Sequence, residues 1–397
     1  MKDDIYMDGT ERFSKSSRRR FLSALGVAGV TGLAGCNTSG EAGTGTNGSG
    51  EGTATTTDGN PPWYGSGPGA FEERPTPGGT SMDDMPDLSG TLNVYSGRGE
   101  ALVGDLLGFI ESKYPDFEVR TTYDSAASLA NRIVTEGQNT PADVFYSVNA
   151  GALGFLADEG ATESLNEGTY SLVPSEFRAS DNSWIGTSGR ARTVPYNTNA
   201  LSADGVPSDI MSFPDHDEFA GKIGWAPTYS SFQGFVTAMR VLEGDADTRE
   251  WLNGIQNLNV EEYSDEFQVV QAVADGEIQL GFANHYYTLR VLAGRPNAPI
   301  DIAFTNGDAG AVFNVAGAAP IAASSKGEMA DTFVRHLLSS EAQEYFAVKT
   351  FEYPLVDGVD PVGRLPPVSE LNVPNIDLSK LSNLDETVTL MREEGVL

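Results

Sequence analysis

From residue 89 to about residue 348 the chain alternates short apolar runs with amphipathic stretches of helical period, and no other feature constrains its fold as much. Residues 91–95 read as a buried strand, and after a glycine-containing turn Leu102, Leu106, Leu107 and Ile110 fall on one side of a helix. Residues 117–123 make a second strand and 125–136 a second helix, with Ser125 placed to cap it. A third strand at 142–146 and a third helix at 149–158 follow. The pattern resumes with a strand at 222–226, helices at 232–242, 251–258 and 267–274, and a strand at 278–282. Strands at 301–304 and 312–318 then lead into one long helix from 328 to about 348. Strands alternating with helices of this length call for parallel sheets covered on both faces. There is no internal repeat. Two such sheets with the chain crossing between them give an α/β fold of two lobes around a central cleft. Lobe 1 is expected over 89–190 and about 316–365, lobe 2 over about 191–315 and 366–397. A hinge is expected near residues 190 and 315, and ligands should bind beyond the carboxyl ends of the strands.

The residues before 89 read differently. Ser17-Arg18-Arg19-Arg20-Phe21-Leu22 opens an apolar run over 22–33, which resembles a twin-arginine export signal. That run is shorter than the roughly 20 residues a membrane span needs. Leu33-Ala34-Gly35-Cys36 resembles a lipobox, so residues 1–36 are expected to be a signal and Cys36 the lipidated first residue of the mature chain. Residues 37–88 are rich in Gly, Thr, Ser, Glu and Pro and are expected to form a disordered linker. A domain on such a leash meets a membrane partner at high effective concentration. The sequence thus places the protein outside the cytoplasm, anchored to the outer face of the cytoplasmic membrane.

Charge excludes one class of partner. The chain carries 56 Asp and Glu against 25 Lys and Arg, a formal net charge of −31, and such a surface repels nucleic acid. Carboxylates that hold water suit a halophilic protein in concentrated salt, where charge repulsion is screened; an acidic face for a basic partner is the other reading. With Cys36 the single cysteine there is no intramolecular disulfide. The three histidines, His216, His285 and His336, are widely spaced, which supplies histidine-based metal or triad chemistry poorly.

Asn284-His285-Tyr286-Tyr287 stands directly after the strand at 278–282, in the expected ligand loop. Two tyrosines adjacent in a strand point apart, but at a strand-to-helix turn both can converge. A trivalent hard cation stabilises phenolate and releases protons as it binds. Tyr196, in Pro195-Tyr196-Asn197-Thr198, could add a third phenolate and so neutralise Fe³⁺. Taken alone, a Tyr-Tyr pair is usually packing.

Residues 89–397 resemble the ferric-iron-binding proteins of bacterial and archaeal ABC importers, within the type II periplasmic-binding-protein fold. The resemblance rests on Val94-Tyr95-Ser96-Gly97-Arg98, Pro141-Ala142-Asp143-Val144-Phe145, Ser188-Gly189-Arg190-Ala191-Arg192 and the Tyr196 segment. Trp225-Ala226-Pro227-Thr228, Ala272-Val273-Ala274-Asp275-Gly276-Glu277, the Tyr286-Tyr287 segment and Glu352-Tyr353-Pro354-Leu355 complete it, in order. It implies a monomeric binding protein, not an enzyme, that carries Fe³⁺ on Tyr196, Tyr286 and Tyr287 to a permease and its ATPase. It also implies a synergistic anion, carbonate or phosphate. Candidates for holding that anion are Arg190, Arg192, Ser230, Ser231 and the amides opening the helix at Phe232, with Arg98 in the first strand-to-helix turn.

Two departures stand out. The first turn, Ser96-Gly97-Arg98-Gly99-Glu100, lacks the histidine that several relatives use, and its spacing is not that of a phosphate loop. Tyr263-Ser264-Asp265-Glu266 is acidic where relatives often have Asn or Thr, which either weakens an anion site or faces solvent. The same clamp with another cargo, such as an oxyanion, polyamine or sugar, stays open. A hydrolase has no support, for there is no GxSxG elbow and no convincing histidine dyad.

Overall fold

The structure is a computed structural model and describes residues 59–71, 74–382 and 384–397. The export signal and Cys36 lie outside the described residues. The elements run β1 (Gly90–Ser96), α1 (Glu100–Lys113), β2 (Phe117–Tyr123), α2 (Ala126–Glu136), β3 (Val144–Ser147), α3 (Ala150–Asp158) and α4 (Glu167–Tyr170). Then come β4 (Ile185–Asn197), β5 (Ile223–Trp225), α5 (Ser230–Glu243), α6 (Asp245–Asn257), β6 (Glu261–Glu262) and α7 (Glu266–Asp275). The chain closes with β7 (Leu280–Gly281), β8 (Ala283–Asn284), α8 (His285–Gly294), β9 (Ile300–Ala303), β10 (Phe313–Pro320), α9 (Gly327–His336), α10 (Ser340–Tyr345) and α11 (Asp385–Glu393).

One strand serves both lobes. The order is β2-β1-β3-β10-β4-β7-β5-β6, with β8 and β9 also paired to β4. Residues 185–191 of β4 pair with β10, while residues 192–197 pair with β8, β9 and β7. The outer strands are parallel, as the alternation requires, but β10 and β4 run antiparallel to their neighbours. These two are connectors between lobes rather than βαβ repeats, so the parallel rule does not bind them. In each lobe apolar residues of the strands and of the covering helices are buried together: Leu92 and Val94 with Ile110 of α1 in lobe 1, Ile223 and Leu280 with Val273 of α7 in lobe 2.

Helix starts follow local chemistry. Ser125 accepts from the Ser128 amide at 3.1 Å and Asn149 from the Ala152 amide at 3.0 Å, each satisfying an N–H that a first helical turn leaves unpaired. The helix expected over 328–348 is broken instead. Ser339 caps a new start by accepting from the Ala342 amide at 3.2 Å, so α9 and α10 are separate and a wider π-type turn, Phe346–Thr350, follows.

The linker expected over 37–88 needs correction where it is described. Trp63 is buried, donates Nε1–H to the Glu341 carbonyl at 3.0 Å and packs edge-on against Tyr345 and Phe109. Arg74 grips Glu344 through two nitrogens at 2.8 and 2.9 Å, and Met82 is fully buried, its amide bonded to Glu341. Trp63, Phe71, Met82, Met85 and Leu88 are few among polar residues, but each finds a pocket on the folded body. Burying a tryptophan and a methionine offsets the entropy of ordering a short strap.

The C-terminal helix α11 lies on lobe 2, with Thr387 hydrogen-bonded to Thr237 of α5 at 2.8 Å and Arg249 of α6 paired to Glu393. Among the described residues no helix is long and apolar enough to cross a membrane.

Candidate functional site

Two helix starts in lobe 2 bring three phenols together. β8 ends at Asn284, so Tyr286 and Tyr287 fall in the first turn of α8. β5 ends at Trp225, and a short turn puts Tyr229 at the N-cap of α5. The Tyr229 and Tyr287 hydroxyls are 2.5 Å apart, and the rings of Tyr286 and Tyr287 lie 4.3 Å apart at 48°. Asn284 donates its side-chain amide to the Tyr286 hydroxyl at 3.4 Å. Arg290, one turn further along α8, lies over both rings at 5.1 and 5.5 Å and fixes them by cation–π attraction. Burial pushes the Tyr287 phenol far up, and Tyr286 and the bond to Tyr229 push it further. Burial also raises Tyr286, with Arg190 opposing and Glu266 adding. Tyr286 and Tyr287 are therefore donors in need of a strong cation before they ionise.

Beside this trio lies a cleft of about 680 Å³ between the lobes. Asn131 of α2 and Asn149 border it on one side, Ser230, Ser231 and Asn284 on the other, and Arg190 and Arg192 of the shared strand β4 reach it. Arg192 is buried, paired through Nη1 with Glu266, and stacked over Phe235 at 4.7 Å. Its Nη2 and Nε have no protein partner. Arg190 donates Nη2–H to the Val148 carbonyl and leaves Nε unpartnered. A guanidinium with spare N–H groups next to a helix start is suited to an oxyanion. Among the described residues no group of three or more His, Cys, Asp or Glu side chains converges to hold a metal ion.

Four of the five expected anion residues, Arg190, Arg192, Ser230 and Ser231, line that cleft. Arg98 does not. Its fork is filled by Glu352 at 2.6 and 3.3 Å and by Ser188 at 3.0 Å, inside lobe 1. Tyr196 is also misplaced by the sequence reading. It pairs with Leu280 and Asp301 in β4, four residues and about 13 Å along the strand from Arg192, whose partner is Asn284. Its phenol is raised by burial and by Asp301, and its charged neighbours are Asp301, Arg364 and Asp204. Tyr229 stands where a third phenol was sought.

The other polar residues of these segments are structural. His285 is buried, accepts from the Ala191 amide at 3.1 Å and donates to the Phe351 carbonyl at 2.8 Å; burial pulls its pKa down to about 4. Glu100 opens α1 and is exposed. Asp265 caps α7 by accepting from the Gln268 amide at 2.9 Å, and Glu266, far from facing solvent, is fully buried.

The family model for bacterial extracellular solute-binding proteins matches residues 110–370. The chain belongs to that family. This solute-binding protein is 31% identical over 313 residues to the major ferric iron-binding protein of Neisseria meningitidis, a match covering 77% of this chain and 93% of that one. Iron-bound HitA from Pseudomonas aeruginosa superposes with a TM-score of 0.68 at 28% identity, over 78% of this chain and all (100%) of that chain. A Trichodesmium protein (IdiA, FutA) in complex with iron and citrate gives a TM-score of 0.67 at 26% identity, over 77% and 99%. The two-lobed architecture of the solute-binding protein is that of these neighbours.

Proposed function

We propose that this protein captures ferric iron on Tyr229, Tyr286 and Tyr287 and delivers it to the permease and ATPase of an ABC importer. The observation that carries the reading is the contiguous trio of phenols beside a cleft with two arginines. Three phenolates neutralise Fe³⁺, and the arginine side of the cleft suits an accompanying carbonate, phosphate or carboxylate. Relatives named for ferric iron, and one neighbour holding iron with citrate, support the same cargo. The reading assigns no catalytic step. It keeps export by the twin-arginine route, a lipid on Cys36 and a monomer that closes about β4 and β10, which mass spectrometry of the mature N-terminus and scattering with and without iron would test.

Ferric phenolate absorbs in the visible, so added Fe³⁺ should turn the protein red-orange. Tyr286→Phe with Tyr287→Phe should abolish the colour, Tyr229→Phe should shift the band and weaken binding, and Tyr196→Phe should change neither. Each bound phenol releases a proton, so affinity should fall about tenfold per phenol for each pH unit of acidification. A colourless wild type that retains no iron would hand the cleft to another oxyanion, a polyamine or a sugar.

A further inference from the structure

The donors expected to hold a free anion are already engaged. Arg192 through Nη1 and Ser231 through its hydroxyl both donate to one oxygen of Glu266, and the Asn284 amide donates to the other at 3.0 Å. Those are the groups an oxyanion needs: a guanidinium, a hydroxyl at a helix start and a backbone N–H. Glu266 has no solvent exposure and is the first residue of α7, where the helix dipole favours negative charge. Asn284 links this carboxylate to the metal donors, since its backbone binds Glu266 and its side chain binds Tyr286.

We propose that Glu266 is a built-in anion, which takes over from a free dianion the task of balancing the arginines beside the metal. The inference rests on the ferric reading and deepens it. The charge count is simple. Fe³⁺ with three phenolates is neutral, Arg190 and Arg192 add two positive charges, and Glu266 removes one. What remains calls for a single monovalent anion, which Arg190 and the free nitrogens of Arg192 can hold at the cleft. Iron binding should then depend only weakly on which small anion is supplied.

The test uses the full-length protein, ferrous chloride oxidised in place by carbonate-free air, and the rate at which bound iron passes to a chelator. Wild type should develop its full visible band with chloride as the only anion. Bicarbonate or phosphate should slow its iron loss less than about fivefold, below the usual range of a binding coupling. Glu266→Ala should need added bicarbonate, phosphate or formate to develop the band, formate filling the space the carboxylate left. A wild-type band that stays absent until bicarbonate or phosphate is added would overturn the proposal while leaving the ferric reading intact. So would a Glu266→Ala protein with the anion response of wild type. Should that variant fail to fold by circular dichroism, the wild-type comparison decides alone. A wild type that takes no iron with any anion removes the ferric reading, and this one with it.

Discussion

Among the buried arginine–glutamate pairs of the described residues, one inside lobe 1 and one at the cleft differ in what they leave unused. Arg98 meets Glu352 with both terminal nitrogens, Ser188 and Thr350 add hydroxyls to the same glutamate, and Tyr146 and Phe346 flank the guanidinium. Arg192, which lines the cleft, meets Glu266 with one nitrogen and keeps Nη2 and Nε buried without a protein partner. The first pair uses both terminal nitrogens and leaves only Nε unpartnered, buried inside lobe 1 away from the cleft, so it can only stabilise. The second has spare donors, so it can also bind. Both arginines look alike in sequence, each in a short polar segment expected at the cleft; a free terminal nitrogen, on Arg192 alone of the two, separates them.

Breaking the lobe 1 pair should give the largest effect. Arg98→Met strands a buried carboxylate and should cost about 3–5 kcal/mol of stability, read from denaturant midpoints at fixed salt. Replacing Glu352 with Met as well should restore most of that loss, since no charge is then left unpaired. Neither change should alter iron loss from the folded protein. Fast iron loss in either variant would mean that the lobe 1 pair reaches the site after all.

Acid should sharpen the contrast with a smaller effect. Burial opposes ionisation of Glu352, but Arg98 and Arg190 override it and hold its carboxyl below the usual range. A carboxyl depressed in the folded state stabilises above its unfolded pKa, near 4.3. That contribution fades as pH falls through the lower folded value. The stability gap between wild type and Glu352→Gln should therefore be full at neutral pH and shrink below about pH 4. A gap unchanged between neutral pH and strong acid would mean that the pair contributes through packing alone.

What was legible in the sequence follows the range of the interactions involved. Local signals held: residues 117–123 form β2, Ser125 caps α2, and the Tyr286-Tyr287 segment opens α8. Long-range ones did not. Tyr196 belongs to β4, and which end of the strand faces the cleft is set by its register on Leu280 and Asp301, which no local pattern encodes. Tyr229 was within reach, because Ser230 and Ser231 already marked a helix start and Tyr229 is the residue just before them. Trp63 was hidden by averaging, as one tryptophan among glycines and prolines leaves composition unchanged yet finds Phe109 and Tyr345. Ser339 reads as helix interior in a long helical pattern, where a serine is tolerated, but at a helix start it is preferred.

The smallest expected effect tests the comparison most finely. Lysine keeps arginine's charge but not its fork, so it can replace one contact and not two. At position 98 the fork is in use against both oxygens of Glu352, and Arg98→Lys should cost about 2 kcal/mol, the worth of a lost charged hydrogen bond. At position 192 a single nitrogen meets Glu266, which a lysine ammonium can reproduce, and the loss of stability should stay under about 1 kcal/mol. Function should rank them the other way. Arg192→Lys removes the free nitrogens at the cleft and should speed iron loss to a chelator by about fivefold, while Arg98→Lys should leave that rate alone. If both lysine variants lose equal stability and release iron at the wild-type rate, the spare nitrogens of Arg192 carry no function and the distinction between the two pairs collapses.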